Sequence, residues 1–243
     1  PDGHGRYPAS ASLAHREGFL QRPIVHEYAE LLWSWISHLE PTLARRRPWG
    51  DRDLAVCVTH DVDTLRRYSY PPLLTVGRTL KTGAVGRASK IVAEYARVML
   101  GKQEEPYDTF DYLLENELGH DLVPTFFFMA GRYGLKDIRC QDYHLTDRRV
   151  QDILCGLDQA GCEIGLHASY DAFDHPELLV QEKKSLERIL DRPVLGVRPH
   201  FLRFQAPQSW RLWAQAGFEY DTSVALAQQA GFRTGLCIPF RPF

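Results

Sequence analysis

The pattern of apolar and polar positions changes character partway along this chain. Between 23 and 40, in "PIVHEYAELLWSWISHLE", the residues Ile24, Tyr28, Leu31, Leu32, Trp35 and Ile36 recur at helical spacing. That predicts one amphipathic helix with a single apolar face. Pro23 suits its first turn, Pro41 ends the pattern, and "RRRPWG" reads as a linker. From Leu54 onward the period shortens. "LAVCVTHDVD" (54–63), "PTFFFMAG" (124–131), "GCEIGLHAS" (161–169), "PVLGVRPH" (193–200) and "FEYDTSV" (218–224) are short runs rich in β-branched and aromatic residues. Each reads as a buried strand. Helical patterns separate the later ones. "LTDRRVQDILCGLDQAG" has Thr146 as its expected N-cap and stops at Gly161. "HPELLVQEKKSLERIL" carries Leu179, Leu186, Ile189 and Leu190 on one side, and "SWRLWAQAGF" is the third. Strand and helix alternating at this spacing predict βαβ units around a parallel sheet.

The polar residues of these runs gather at one end. Asp61 and Asp63, His167, Arg198 and His200, and Asp221 all fall at the C-terminal end of a predicted strand. In parallel α/β folds that end carries the chemistry. The expected organisation is a helical lead-in over 1–53 and an α/β domain over 54–243, interrupted by a helical insertion at 64–102.

Composition narrows the picture. The chain has 243 residues, 44% hydrophobic and 25% charged, with a formal net charge of −2. That balance gives no bulk field for nucleic acid, and no run of about 18 apolar residues marks a membrane span. The five cysteines lack a CxxC pair, which points to small buried groups and a reducing, cytoplasmic setting. The insertion is locally different: it holds eight Lys or Arg and one acid, Glu94. It reads as a solvated helical face, or as a surface for weak contact with anionic glycan or lipid headgroups.

In "THDVD", strand alternation sends Asp61 and Asp63 to one face and His60 and Val62 to the other. Two carboxylates about 6–7 Å apart suit one metal ligand and one base. In "GLHASYD", His167 and Asp171 stand four apart, a usable two-ligand pair if the chain turns helically there. In "GVRPHFLR", Arg198 is placed to hold the Asp61 carboxylate, His200 is a spare ligand or substrate donor, and Arg203 a substrate contact.

Together these five segments resemble, in order and approximate spacing, the polysaccharide deacetylase superfamily (the NodB-homology domain). The resemblance covers roughly 54–243. It is nearest to a divergent branch with a "THDVD" first motif, linked to surface-polysaccharide or O-antigen biosynthesis. It implies a distorted (β/α) barrel that removes N- or O-acetyl groups from a glycan or sugar precursor with a divalent metal, usually zinc. It implies Asp61 as base, Asp63 and His167 as metal ligands, and Arg198 as the residue orienting the base. It also implies the Phe201 N–H as an oxyanion donor, and Asp221 and Ser223 as a strand-end motif near the site. Two departures stand out. The family's second metal His is here Asp171, so the third ligand is Asp171, His200 or His60. The family's general-acid His has no counterpart after His200, so the barrel is expected to be incomplete at its C-terminal end, with that strand beyond Phe243. The alternatives are a catalytically impaired carbohydrate-binding relative, an amidase or allantoinase-like hydrolase on small amides, and a D-x-D glycosyltransferase.

Overall fold

The computed structural model describes residues 1–45, 49–67, 73–131 and 141–242, without the side chains of 73 and 74. A 3-10 turn, Ala9–Ala11, leads into α1 (Leu13–Arg16) and α2 (Ile24–Leu39). Then follow β1 (Thr59–Val62), α3 (Leu73–Lys81), α4 (Val85–Met99), α5 (Phe110–Leu118), β2 (Thr125–Met129) and α6 (Arg148–Gln159). The chain continues through β3 (Glu163–Ala168), α7 (Pro176–Leu190), β4 (Gly196–Pro199), a 3-10 turn at His200–Leu202, α8 (Gln208–Gln215) and β5 (Tyr220–Asp221). The five strands form one parallel sheet in the order β1-β2-β3-β4-β5.

Alternation divides the sheet into two faces. Phe126, Phe128, Ile164, Leu166, Ala168 and Val197 point outward into a core shared with Leu154 and Leu157 of α6 and Leu179 and Leu186 of α7. On the inner face the register aligns Asp61 with Phe127 and Gly165, and His167 with Met129 and Arg198. Side chains must share that narrow space. A Cβ on Gly165 would lie 2.5 Å from the Phe127 ring, and one on Gly196 would lie 2.3 Å from Tyr220. Both glycines are therefore close-approach positions for a neighbouring aromatic.

The sheet is strongly curled. β1 and β4 are three strand spacings apart, about 14 Å if the sheet were flat. Yet Arg198 on β4 bonds directly to Asp61 and Thr59 on β1, which a flat sheet would not allow. The expected α/β fold is present as a curled, open parallel sheet. Among the described residues no pairing of β1 with β5 closes it.

Several expectations change. The first strand is short: Leu54 and Val56 are 67% and 58% exposed, and regular pairing begins only at Thr59. Three of the four described cysteines, Cys57, Cys155 and Cys237, are exposed, and only Cys162 is buried; Cys140 lies outside the described residues. The N-cap of α6 is Asp147, not Thr146. α2 forms where the spacing predicts it, but none of its residues is buried, and Trp35 is 59% exposed. The lead-in also touches the α/β unit. His26 N–H donates to Gly235 O at 3.0 Å, and Phe232 N–H donates to Leu20 O at 2.9 Å. The insertion forms α3 and α4, with Val85, Val92 and Met99 exposed. No helix among the described residues is long and apolar enough to cross a membrane.

Candidate metal centre and adjoining carboxylate

Three donor atoms from three strand ends converge. Asp63 follows β1, His167 is the penultimate residue of β3, and His200 follows β4. His167 Nε2 lies 3.1 Å from Asp63 Oδ1 and 3.0 Å from His200 Nδ1. His200 Nδ1 lies 3.4 Å from Asp63 Oδ1. His167 and His200 are buried, and the buried Asp63 Oδ1 accepts no hydrogen bond of normal geometry. Burial alone would push the Asp63 carboxyl up, but imidazoles that carry a proton toward it overcome this and hold it well below the usual carboxylate range.

The tautomer of His167 follows from its other nitrogen. Nδ1 lies 2.8 Å from the Arg198 carbonyl, which can only accept. The proton therefore sits on Nδ1, and Nε2 presents a lone pair to the cluster. A carbonyl bracing the far nitrogen is the usual support of a metal-binding His. Lone pairs this close repel unless a proton or cation lies between them. The separations fit a cation: ligand bonds of about 2.0–2.1 Å in tetrahedral geometry place donors about 3.4 Å apart. Among the described residues, Asp63, His167 and His200 are the group able to hold a metal ion.

Asp63 is held in place by groups the sequence did not announce. The Val62 carbonyl, one residue before it, accepts from Tyr143 Oη at 2.7 Å. The Leu65 and Arg66 N–H groups donate to the Asp142 carboxylate at 2.9 and 3.2 Å. At the end of β3, Glu182 of α7 accepts from Ser169 N–H at 2.9 Å and pairs with Ser169 Oγ. Burial pushes the Glu182 carboxyl up to about 7, against the bonds from Ser169.

Beside the cluster sits Asp61. Arg198 Nη1 donates to Asp61 Oδ1 at 2.7 Å, Nη2 to Thr59 Oγ1 at 2.8 Å, and Nε to Thr222 Oγ1 at 2.7 Å. The guanidinium lies 4.5 Å above the Phe127 ring. Both edges and one face of Arg198 are occupied, so it holds one orientation and fixes the carboxylate. Asp61 Oδ2 has no protein partner among the described residues. Thr59 and Thr222 were legible by parity, since Thr59 is two residues from Asp61 and shares its face.

The other expected site residues divide. Asp171 does not join the cluster: its side chain is 72% exposed and faces Arg203 at 3.7 Å. It lies beyond the end of β3, where the chain has turned away from the inner face. His200 takes the third place instead. His60 faces outward, as alternation requires, stacking on Phe126 at 4.8 Å with Nε2 2.7 Å from Glu117 of α5. Asp221 also faces outward. It accepts from Trp210 Nε1 at 3.0 Å and from Ser223 N–H at 2.6 Å, and burial raises its carboxyl pKa. Arg203 is engaged by carbonyls, donating to Tyr170 O at 2.6 Å and His4 O at 3.2 Å. Phe201 directly follows His200, in left-handed conformation at φ 60°.

Residues 1–41 match a family described as a family of unknown function, DUF7033. No curated protein matches the chain. Among solved structures, a Mycobacterium smegmatis protein provisionally described as a polysaccharide deacetylase is similar at 20% identity and a TM-score of 0.42. The likeness covers 70% of this chain and 50% of that one, so the chain spans half the length of the structure it matches.

Proposed function

We propose that this chain carries the centre of a metal-dependent hydrolase that removes an N- or O-acetyl group from a glycan or glycan precursor. The observation that carries the reading is the convergence of Asp63, His167 and His200 within 3.4 Å of one another, beside a carboxylate locked by Arg198. Two imidazole nitrogens and one carboxylate oxygen suit zinc, with a position left for solvent or substrate. When bound, the metal supplies a Lewis acid at the acyl carbonyl and lowers the pKa of water.

The protein's own groups do the rest. Asp61 Oδ2 takes the proton from the attacking water. Arg198 holds Asp61 Oδ1, which leaves Oδ2 without a partner among the described residues and fixes its direction. The buried imidazoles and Met129 screen the inner side from bulk solvent. Breaking an amide also requires a proton on the leaving nitrogen, and the proton that Asp61 has taken from water is the one returned to it. The assignment of substrate to a surface polysaccharide rests on the "THDVD" resemblance.

Two variants test the reading. Asp61→Asn is expected to lower kcat about 10²–10⁴-fold, with zinc affinity nearly unchanged. Asp63→Ala is expected to abolish stoichiometric zinc binding, measured by titration and metal analysis. Full turnover of an acetylated oligosaccharide by Asp61→Asn would remove Asp61 from the role of base. Unchanged zinc stoichiometry in Asp63→Ala would remove the metal centre.

A further inference from the structure

The 2–6 stretch, "DGHGR", lies within the region that matches a family of unknown function, and it reaches the turn that carries His200. Asp2 folds this stretch into a clasp. Its Oδ1 accepts from the His4 and Arg6 backbone N–H groups at 2.9 and 3.0 Å, and its Oδ2 accepts from Arg6 Nε at 2.8 Å. The free edge of Arg6 then donates through Nη1 to the Phe201 carbonyl at 3.3 Å. The His4 ring packs on the Phe201 ring at 4.4 Å, and its Nδ1 lies 3.0 Å from Tyr170 Oη. Arg203 closes the arrangement from the other side, donating to the carbonyls of His4 and Tyr170.

The turn so held is an unfavourable one. Phe201 and Leu202 stand at φ 60° and 53°, two consecutive non-glycine residues in the left-handed region. Side-chain sterics disfavour each of them. Such a conformation persists only where its surroundings over-determine it. His200, immediately before the pair, presents Nδ1 to Asp63 and His167. A relaxed turn would swing that imidazole away.

We propose that the Asp2–Arg6 clasp is a positioning element of the metal centre, holding the His200–Leu202 turn so that His200 stays aimed at Asp63 and His167. This rests on the reading of the site as a metal centre. It gives residues 2–6 a task in the site: the ordering of the third ligand is done in advance of binding. Arg6 is suited to it because its planar fork reaches Asp2 and Phe201 at once, which a lysine ammonium cannot do.

The test uses the full chain with Arg6→Ala, Arg6→Lys and, as a control, Arg148→Ala at an exposed position of α6. Hydrogen exchange reads the turn without any metal present. Amides of residues 200–203 are expected to exchange at least about tenfold faster in both Arg6 variants, with the β2 amides unchanged. Zinc affinity is expected to fall about tenfold or more in both, and Arg148→Ala is expected to match wild type in both measurements. Unchanged exchange at 200–203 would overturn the clasp. Faster exchange with unchanged zinc affinity would overturn its link to the metal, and so would rescue of zinc affinity by Arg6→Lys. A wild type that binds no zinc overturns the functional reading instead, and the exchange measurement then still decides whether the clasp holds the turn.

Discussion

The two faces of the same five-stranded sheet divide the work of the molecule. The outer face is dry: Phe126, Phe128, Ile164, Leu166 and Val197 are fully buried against the helices. The inner face carries Thr59, Asp61, His167, Arg198 and Thr222, tied by hydrogen bonds and open enough to leave an oxygen of Asp61 without a partner among the described residues. Residues one position apart in sequence thus serve opposite ends. His60 packs on Phe126 while Asp61 faces the site; Asp221 anchors Trp210 while Thr222 holds Arg198. Burial of the outer face supplies the stability with which the inner face can hold like-polar groups at short range.

Substitutions on the two faces should therefore separate stability from chemistry. The largest stability loss is expected on the outer face. Phe128→Ala should cost about 3–5 kcal/mol, read as a drop in denaturation midpoint, with little change in zinc affinity of the folded fraction. Glu182 bridges the faces from α7. Its carboxyl is raised to about 7 in the folded state, above the unfolded value of about 4.3, so the native state binds the extra proton between these limits. The stability it confers is complete below about pH 4 and is lost as pH rises through about 7, a change on the order of 3–4 kcal/mol. Glu182→Gln should flatten that stretch of the stability–pH curve, and an unaltered slope would show that another group sets it.

Next comes the inner face. His200→Ala should weaken zinc binding at least a hundredfold, about 2.7 kcal/mol, whereas Asp171→Ala should leave it unchanged. The reverse order would return the third ligand to Asp171. Asp221→Asn, back on the outer face, should cost about 1 kcal/mol of stability through the Trp210 bond and leave kcat alone. The smallest effect concerns the basic insertion. Charge reversal of Arg87, Lys90 and Arg97 should reduce co-sedimentation with anionic vesicles at low salt and leave turnover of a soluble substrate intact; equal sedimentation would assign these cations to solvation.

Much of the inner face was legible because strand alternation is rigid. Asp61 and Asp63 on one side with His60 on the other follows from period two, and Arg198 reaching Asp61 follows once both lie on strand ends. The third member of the cluster was not legible. Sequence spacing favoured Asp171, four residues from His167, but that inference assumed a helical turn after β3. The chain instead leaves the inner face there, and His200 arrives from a strand whose separation in sequence says nothing of its distance. The same limit hid Glu182. Its position in the apolar stripe of α7 between Leu179 and Leu186 was readable, but its partner Ser169 was not. The α2 helix shows the opposite case. Its apolar face was read from spacing, yet Tyr28, Leu32 and Trp35 are exposed, because amphipathicity states that a face can be buried and not what buries it.

By itself the sequence determined the strand–helix alternation, the face each strand residue occupies and the chemistry assembled at the strand ends. These depend on local periods of two and 3.6 residues, which neighbouring side chains enforce. Only the tertiary structure decided which side chain completes the cluster, that the sheet curls enough for Arg198 to grip Asp61, and that residues 2–6 contact the His200–Leu202 turn. Those are contacts between segments up to about two hundred residues apart, set by sheet curvature and the paths of loops, and no local pattern encodes them.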